Sequence, residues 1–230
     1  MKLLKPLLEG FSFTVKTDTI INNDNIEVPM CGRYYLEDEI EDRRLAEQIK
    51  QATHVSAQIC ANMKISGEIR PTDIAPVIAP SAAHRKIGAF PMRWGFNHPT
   101  KGMLVFNTRS ETAEEKALFC TSINDRRCMV PASCYFEWHK IDKNKKDKYA
   151  FYSEDREPLY LAGLYIKTLD QQRLPCFSIL TQDAATNIRE IHPRMPVIVP
   201  YSRAEEWLSP DTNFLDMIRN LHEKVTSTLS

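Results

Sequence analysis

Three short segments each place an arginine two residues after a potentially reactive group: Cys31-Gly32-Arg33, Asn107-Thr108-Arg109 and His192-Pro193-Arg194. In extended backbone, residues i and i+2 project to the same side, so each guanidinium is expected to share its partner's space. A guanidinium fork matches phosphate oxygens in bidentate geometry. A thiol, an amide and an imidazole ringed by three such forks would suit a reactive group flanked by phosphates. A fourth segment, Cys134-Tyr135-Phe136-Glu137-Trp138-His139, adds a carboxylate bracketed by aromatic residues. On a strand, Cys134, Phe136 and Trp138 would share the apolar face, and Tyr135, Glu137 and His139 the other. Desolvation raises the pKa of a carboxyl group and suits it to proton transfer near neutral pH. Read singly, each residue also has an ordinary structural explanation. Cys31 fits a buried apolar position, Glu137 an ion pair with a lysine, His192 a satisfied loop, Asn107 a turn and Trp94 the core.

The elements that must position these groups are mostly short strands. Strand-like runs fall at Ala75–Ala79, Lys86–Phe90, Met103–Phe106, Cys134–His139, Tyr149–Tyr152, Tyr160–Ile166, Leu174–Thr181 and Val197–Val199. Helices are expected over 38–53, where Glu37, Asp38 and Glu39 put negative charge at the start, and over Thr112–Phe119, which opens with capping-box spacing to Glu115. Further helices are expected over Ala184–Ile191 and from a Ser202 cap to Leu208. The lysine-rich stretch Lys140–Lys148 reads as a solvated turn rather than a DNA patch. Many short strands with a few helices predict an α+β fold: a single domain with a strongly curved, barrel-like antiparallel sheet and flanking helices.

Composition narrows the function. In 230 residues there are 30 Lys+Arg and 30 Asp+Glu, so the formal net charge is zero. Any nucleic-acid contact must come from a local arginine cluster, not a generally basic surface. The six cysteines form no CxxC pair and have no zinc-ligand spacing. Reduced thiols, no metal, no cofactor and a cytoplasmic monomer are expected. No apolar run approaches the ~18 residues needed to span a membrane, and Leu3–Leu8, broken by Lys5 and Pro6, lacks a cleavage site.

Taken together, the segments resemble the SOS-response-associated peptidase (SRAP) family, whose members crosslink to abasic sites. The matching motifs are Met30-Cys31-Gly32-Arg33-Tyr34, Arg93-Trp94-Gly95, Phe106-Asn107-Thr108-Arg109-Ser110-Glu111-Thr112, Phe136-Glu137-Trp138, Leu161-Ala162-Gly163-Leu164-Tyr165 and Ile191-His192-Pro193-Arg194-Met195-Pro196. They occur in the family's order across nearly all of 31–200. The resemblance implies that Cys31 is the nucleophile and that Asn107, Glu137 and His192 complete the catalytic group. Arg33, Arg109 and Arg194 would hold phosphates, and Trp94 and Pro71 would lie against DNA bases. The implied partner is single-stranded DNA containing abasic sites, and the protein would be nucleoid-associated when bound. Pro193 stands where the family often has aspartate, and Thr108 where alanine is frequent.

One departure matters: 30 residues precede Cys31. The implied chemistry needs the nitrogen and sulfur of one residue, because the amine condenses with a sugar aldehyde and the thiol then closes a thiazolidine. An internal cysteine could offer only a reversible thiohemiacetal. Residues 1–30 are therefore expected to be either a propeptide removed by the protein's own site or the product of a mis-assigned start. The second is favoured, because Glu27-Val28 can be encoded with a ribosome-binding core just upstream of the Met30 codon. The catalytic domain is then 31–230. Two other functions fit the same residues. A cysteine peptidase acting on other proteins would use Cys31, His192 and Asn107 without a free amine. A non-covalent single-strand binder would need only the arginines and Trp94.

Overall fold

A computed structural model describes residues 31–37, 62–81, 86–167, 174–221 and 225–230. The segment 1–30 and the helix expected over 38–53 lie outside these residues. Two sheets dominate. The first has the order β14-β10-β9-β1-β2 and is antiparallel throughout. Its strands are β1 (Arg33–Leu36), β2 (Gly67–Ile69), β9 (Cys134–Lys140), β10 (Lys146–Ser153) and β14 (Val225–Leu229). The second contains β3 (Ile74–Pro80), β4 (Ile87–Trp94), β7 (Asn107–Arg109), β8 (Arg127–Ala132), β11 (Leu159–Ile166), β12 (Cys176–Asp183) and β13 (Arg194–Pro196). Its path β11-β8-β3-β4-β12 returns to β11, so the sheet closes into a ring. Two short strands, β5 (Phe96–Asn97) and β6 (Leu104–Val105), pair separately.

The ring is mainly antiparallel, and β12 adds two parallel pairings to it. Along one edge of β12, β4 and then β7 pair with it in parallel, while β11 and β13 pair antiparallel along the other. That sharing brings Asn107 and the His192 loop to the same end of β12. Among the described residues the α-helices are short: Cys120–Asp125, Thr186–Arg189, Ala204–Leu208 and Phe214–Arg219. The helix expected over 112–119 is absent. Ser110–Thr112 is a single 3-10 turn, and the α-helix starts at Cys120 after Phe119 buries its ring. Ser202 likewise provides no side-chain cap for the helix ending at Leu208. Asn213 does cap the last helix, accepting from Asp216 N at 3.0 Å. The strand expected at Val197–Val199 lies instead at Arg194–Pro196, with Ile198 making one isolated bridge to Leu161.

Burying both faces of the ring strands explains their continuous apolar runs, as in Ile74–Pro80 and Leu159–Leu164. Gly163 lies where β11 is squeezed between β8 and β12: it pairs with Cys128 and with Ile179. A Cβ there would meet Cys128 Sγ at 2.9 Å and the Ser178 carbonyl oxygen at 3.2 Å. Gly163→Ala is expected to destabilise the protein by roughly 1–3 kcal/mol through overpacking, read as a lower urea midpoint at unchanged m-value. Arg127, 2% exposed, places its guanidinium over Trp207 and donates to the carbonyls of Thr212 and Ser209. A buried charge thus pins the 209–212 turn to the ring.

Candidate active site

The site lies where the two sheets meet, and β9 supplies its carboxylate. The register of β1 on β9 sets Arg33 opposite Phe136, which leaves Cys31, just before the strand, beside Glu137. The Cys31 backbone nitrogen donates to Glu137 Oε1 at 2.7 Å. Asn107, at the head of β7, donates from Nδ2 to the Cys31 carbonyl in a long bond of 3.4 Å. His192 follows the Thr186–Arg189 helix, and its Nε2 lies 4.0 Å from Glu137 Oε2. Four residues spread over 162 positions of sequence (31 to 192) thus gather around one carboxylate. The His139 ring, on β9, also meets the Ile191 carbonyl at 3.4 Å, which ties the His192 loop to that strand.

Three of these groups are almost fully buried: Cys31 at 1%, Glu137 at 2% and His192 at 3% exposure. Burial dominates their protonation. It pushes the Glu137 carboxyl up to about 8, against a smaller lowering by the Cys31 N–H bond. Burial, with the Glu137 charge adding to it, pushes the Cys31 thiol well above its ordinary value. Burial lowers His192, opposed by its backbone hydrogen bond with Arg194. Near neutral pH the site therefore holds a carboxylic acid, a thiol and a neutral imidazole. His192 Nδ1 lies 3.2 Å from the Arg194 amide nitrogen and 3.1 Å from its carbonyl oxygen. Whichever contact forms fixes the tautomer, and hence whether Nε2 offers a proton or a lone pair. Nε2 is buried and has no hydrogen-bond partner among the described residues.

The strand around Glu137 keeps the expected alternation, and the face that carries Glu137 is the one turned to the main core. Tyr135 belongs to the main core and stacks on Phe151 with ring centroids 4.8 Å apart. Cys134, Phe136 and Trp138 form a separate outer cluster with Tyr35 and Tyr152. Glu137 therefore points inward.

The arginines behave differently from one another. Asn107 and Arg109 flank the buried Thr108 on β7 and share a face, as extended backbone requires. Cys31 is not extended: its φ is +24°, so Arg33 does not follow its direction. Arg33 instead sits over Trp138, 5.2 Å from the ring centre, and pairs with Glu68 at 2.9 Å. Arg194 is held by Glu111 and Asp183, each at 2.6 Å, and by the Thr181 carbonyl at 2.8 Å. Pro71 lies half-buried in the turn between β2 and β3. Trp94, expected against DNA bases, is a core residue. It is 0% exposed, stacks on Phe177 and donates from Nε1 to the Phe106 carbonyl at 2.8 Å.

Glu68, Arg70, Lys148, Glu111 and Asp183 escaped the sequence reading. Lys148 ends the stretch expected to be a solvated turn, but Lys146–Lys148 belong to β10, where Lys148 lies opposite Trp138. Glu111 could have been noticed two residues after Arg109 in the same motif. The carboxyls of Glu68 and Glu111 are both held low: burial opposes this, but hydrogen bonds from Lys148 and Arg70, and from Arg194, outweigh it. Among the described residues, no group of His, Cys, Asp and Glu is placed to hold a metal, and no helix is long and apolar enough to cross a membrane.

Sequence comparison identifies the frame around this site. The sequence model described as "SOS response associated peptidase (SRAP)" matches residues 30–229. The chain belongs to the SRAP family. Among its relatives, the abasic site processing protein YobE of Bacillus subtilis is 28% identical, over 84% of this chain and 88% of its own length. The abasic site processing protein YoaM of the same organism is 29% identical, over 67% and 73%. YedK of Escherichia coli, also an abasic site processing protein, is 25% identical over 78% and 79%. The fold agrees as well. A crystal structure of a Bacteroides thetaiotaomicron protein matches with a TM-score of 0.68 at 23% identity, covering 86% of this chain and 91% of that one. This SRAP protein thus keeps the family's sheet frame around the residues that the motifs singled out.

Proposed function

We propose that this SRAP protein processes abasic sites in single-stranded DNA by capturing the ring-opened sugar aldehyde on Cys31, presented as an N-terminal residue. One observation carries the reading: the Glu137 carboxyl group sits on the Cys31 nitrogen, not on its sulfur. A cysteine peptidase acting on other proteins has no use for a proton relay at its own cysteine's nitrogen, whereas imine formation at that nitrogen does. The names of the relatives point to the same substrate.

The steps balance without a cofactor. The neutral amine adds to the aldehyde carbon, and the resulting hydroxyl departs as water to leave an imine. The thiol then adds to the imine carbon, and its proton ends on nitrogen, closing the thiazolidine with one water lost overall. An α-amine titrates near ~7.7–8.0, so a useful neutral fraction exists near neutral pH. Glu137, whose carboxyl group burial pushes up, donates to the departing oxygen. His192, uncharged, accepts the thiol proton, and Asn107 holds the Cys31 carbonyl so that nitrogen and sulfur face the same carbon. Arg33, Arg109 and Arg194 flank the lesion's phosphates.

A free Cys31 arises in either of two ways. Translation from Met30 followed by methionine removal exposes it directly. Alternatively, the Cys31 thiol attacks the Met30 carbonyl, the Cys31 nitrogen departs with a proton from Glu137, and water hydrolyses the thioester. Both routes leave 31–230 as the working domain.

The test incubates a chain beginning at Cys31 with abasic and intact single-stranded oligonucleotides and separates the products under denaturing conditions. The expected result is a retarded band with the abasic strand alone. No such band, or equal bands with both strands, overturns the proposal.

A further inference from the structure

Beside Cys31, on the outer face of the first sheet, three cations converge on one carboxylate. Glu68 Oε1 accepts from Arg33 Nη1 at 2.9 Å and from Arg70 Nε at 2.8 Å, with Arg70 Nη2 at 2.7 Å, and Oε2 accepts from Lys148 Nζ at 3.0 Å. The register explains the convergence: Tyr35 lies opposite Glu68, Arg33 opposite Phe136 and Lys148 opposite Trp138, on three adjoining strand pairs. Two of the cations are also seated on aromatic rings. The Arg33 guanidinium is 5.2 Å from the Trp138 ring centre, and Lys148 Nζ is 3.7 Å from that of Phe136. Such seating holds the charges in place without neutralising them. The neighbouring acid, Asp73, is taken by Lys64 at 2.6 Å and by the Arg70 amide at 2.8 Å. Three positive charges therefore share one negative charge in a protein whose formal net charge is zero.

A carboxylate and a phosphate present the same acceptor oxygens to such a cluster. We propose that Arg33, Arg70 and Lys148 form a phosphate-binding subsite for the DNA backbone, and that Glu68 occupies it as an internal mimic when DNA is absent. The inference rests on the reading that this protein acts on DNA, and it adds Arg70, Lys148 and Glu68 to the residues that govern binding. Glu68 has a consequence for specificity. A strand must displace or share its carboxylate, which weakens non-covalent binding to intact DNA while leaving covalent capture at Cys31 to retain the damaged strand.

The test measures non-covalent affinity of the chain beginning at Cys31 for an intact single-stranded oligonucleotide across a salt series, with adduct formation on the abasic strand followed in parallel. Arg70→Ala and Lys148→Ala are each expected to weaken binding and to reduce the slope of log affinity against log salt by about 0.7. Glu68→Gln keeps the shape and an acceptor but removes the charge, and is expected to tighten binding on the order of two- to fivefold at low salt. Arg70 is 58% exposed in its side chain, so its removal leaves folding intact and decides the matter if Lys148→Ala unfolds. Unchanged affinity and slope in Arg70→Ala, or weaker binding by Glu68→Gln, overturns the subsite. Adducts with unchanged slopes sink the subsite alone; altered slopes without adducts sink only the covalent reading.

Discussion

A chain that begins at Cys31 and carries an acetylated α-amine is expected to form no adduct with abasic DNA, although its thiol remains free. Acetylation leaves a nitrogen that cannot condense to an imine, so the sulfur is restricted to a thiohemiacetal that falls apart on denaturation. The loss should reach background. Cys31→Ser in the unmodified chain should behave alike from the opposite side: the amine still condenses, but no thiazolidine forms to trap the product. The pair of variants separates this chemistry from that of a cysteine peptidase, which needs the thiol and not the amine. Full crosslinking by the acetylated chain would show that nitrogen takes no part.

Glu137→Gln is expected to slow adduct formation by about 10²–10⁴-fold, the usual range for loss of a positioned acid or base. The same substitution should stabilise the fold, and the pH dependence follows from the direction of the shift. In the chain with Cys31 acylated, burial holds the Glu137 carboxyl near 8, against an ordinary value of 4.5. Below pH 4.5 both the folded and the unfolded forms are protonated, so the group has no effect. As pH rises from about 4.5 to about 8, the unfolded chain ionises while the folded one cannot, and stability falls. By pH 8 the penalty is up to about 4 kcal/mol. Glutamine never ionises, so the variant and parent should melt together near pH 4 and diverge towards pH 8, with the variant higher. Identical melting curves at both values would mean that the folded carboxylate is charged. A site that stores instability in its working residue is a familiar exchange of stability for function.

Much of the strand framework was legible from sequence because half-buried strands alternate and fully buried ones run apolar. Cys134–Lys140 and Leu159–Ile166 are examples. β8 was not legible. Its six residues are all buried, but they include Arg127 and Pro131, whose polarity and missing N–H argue locally against a central strand. The helix expected over 112–119 failed for a related reason. The Thr112–Glu115 spacing describes a local cap, whereas Ala113 and Phe119 are anchored in the core with the chain in turns between them. Alternation also tells which residues share a face without saying which face is inside. For Tyr135 and Glu137 only the packing against Phe151 and Cys31 decides it.

The chemical inventory and its order belong to the sequence: a cysteine, an amide, a carboxyl group and a histidine, each in a motif that resembles one family. Side-chain chemistry is a local property, so it can be read residue by residue. The protonation states, the buried place of Trp94 and the carboxylates held by Arg33 and Arg194 were decided only in the tertiary structure. They arise from partners distant in the chain, as with Cys31 and Glu137, 106 residues apart. Desolvation and ion pairing depend on distance in space, and closing the ring of strands is what sets those distances.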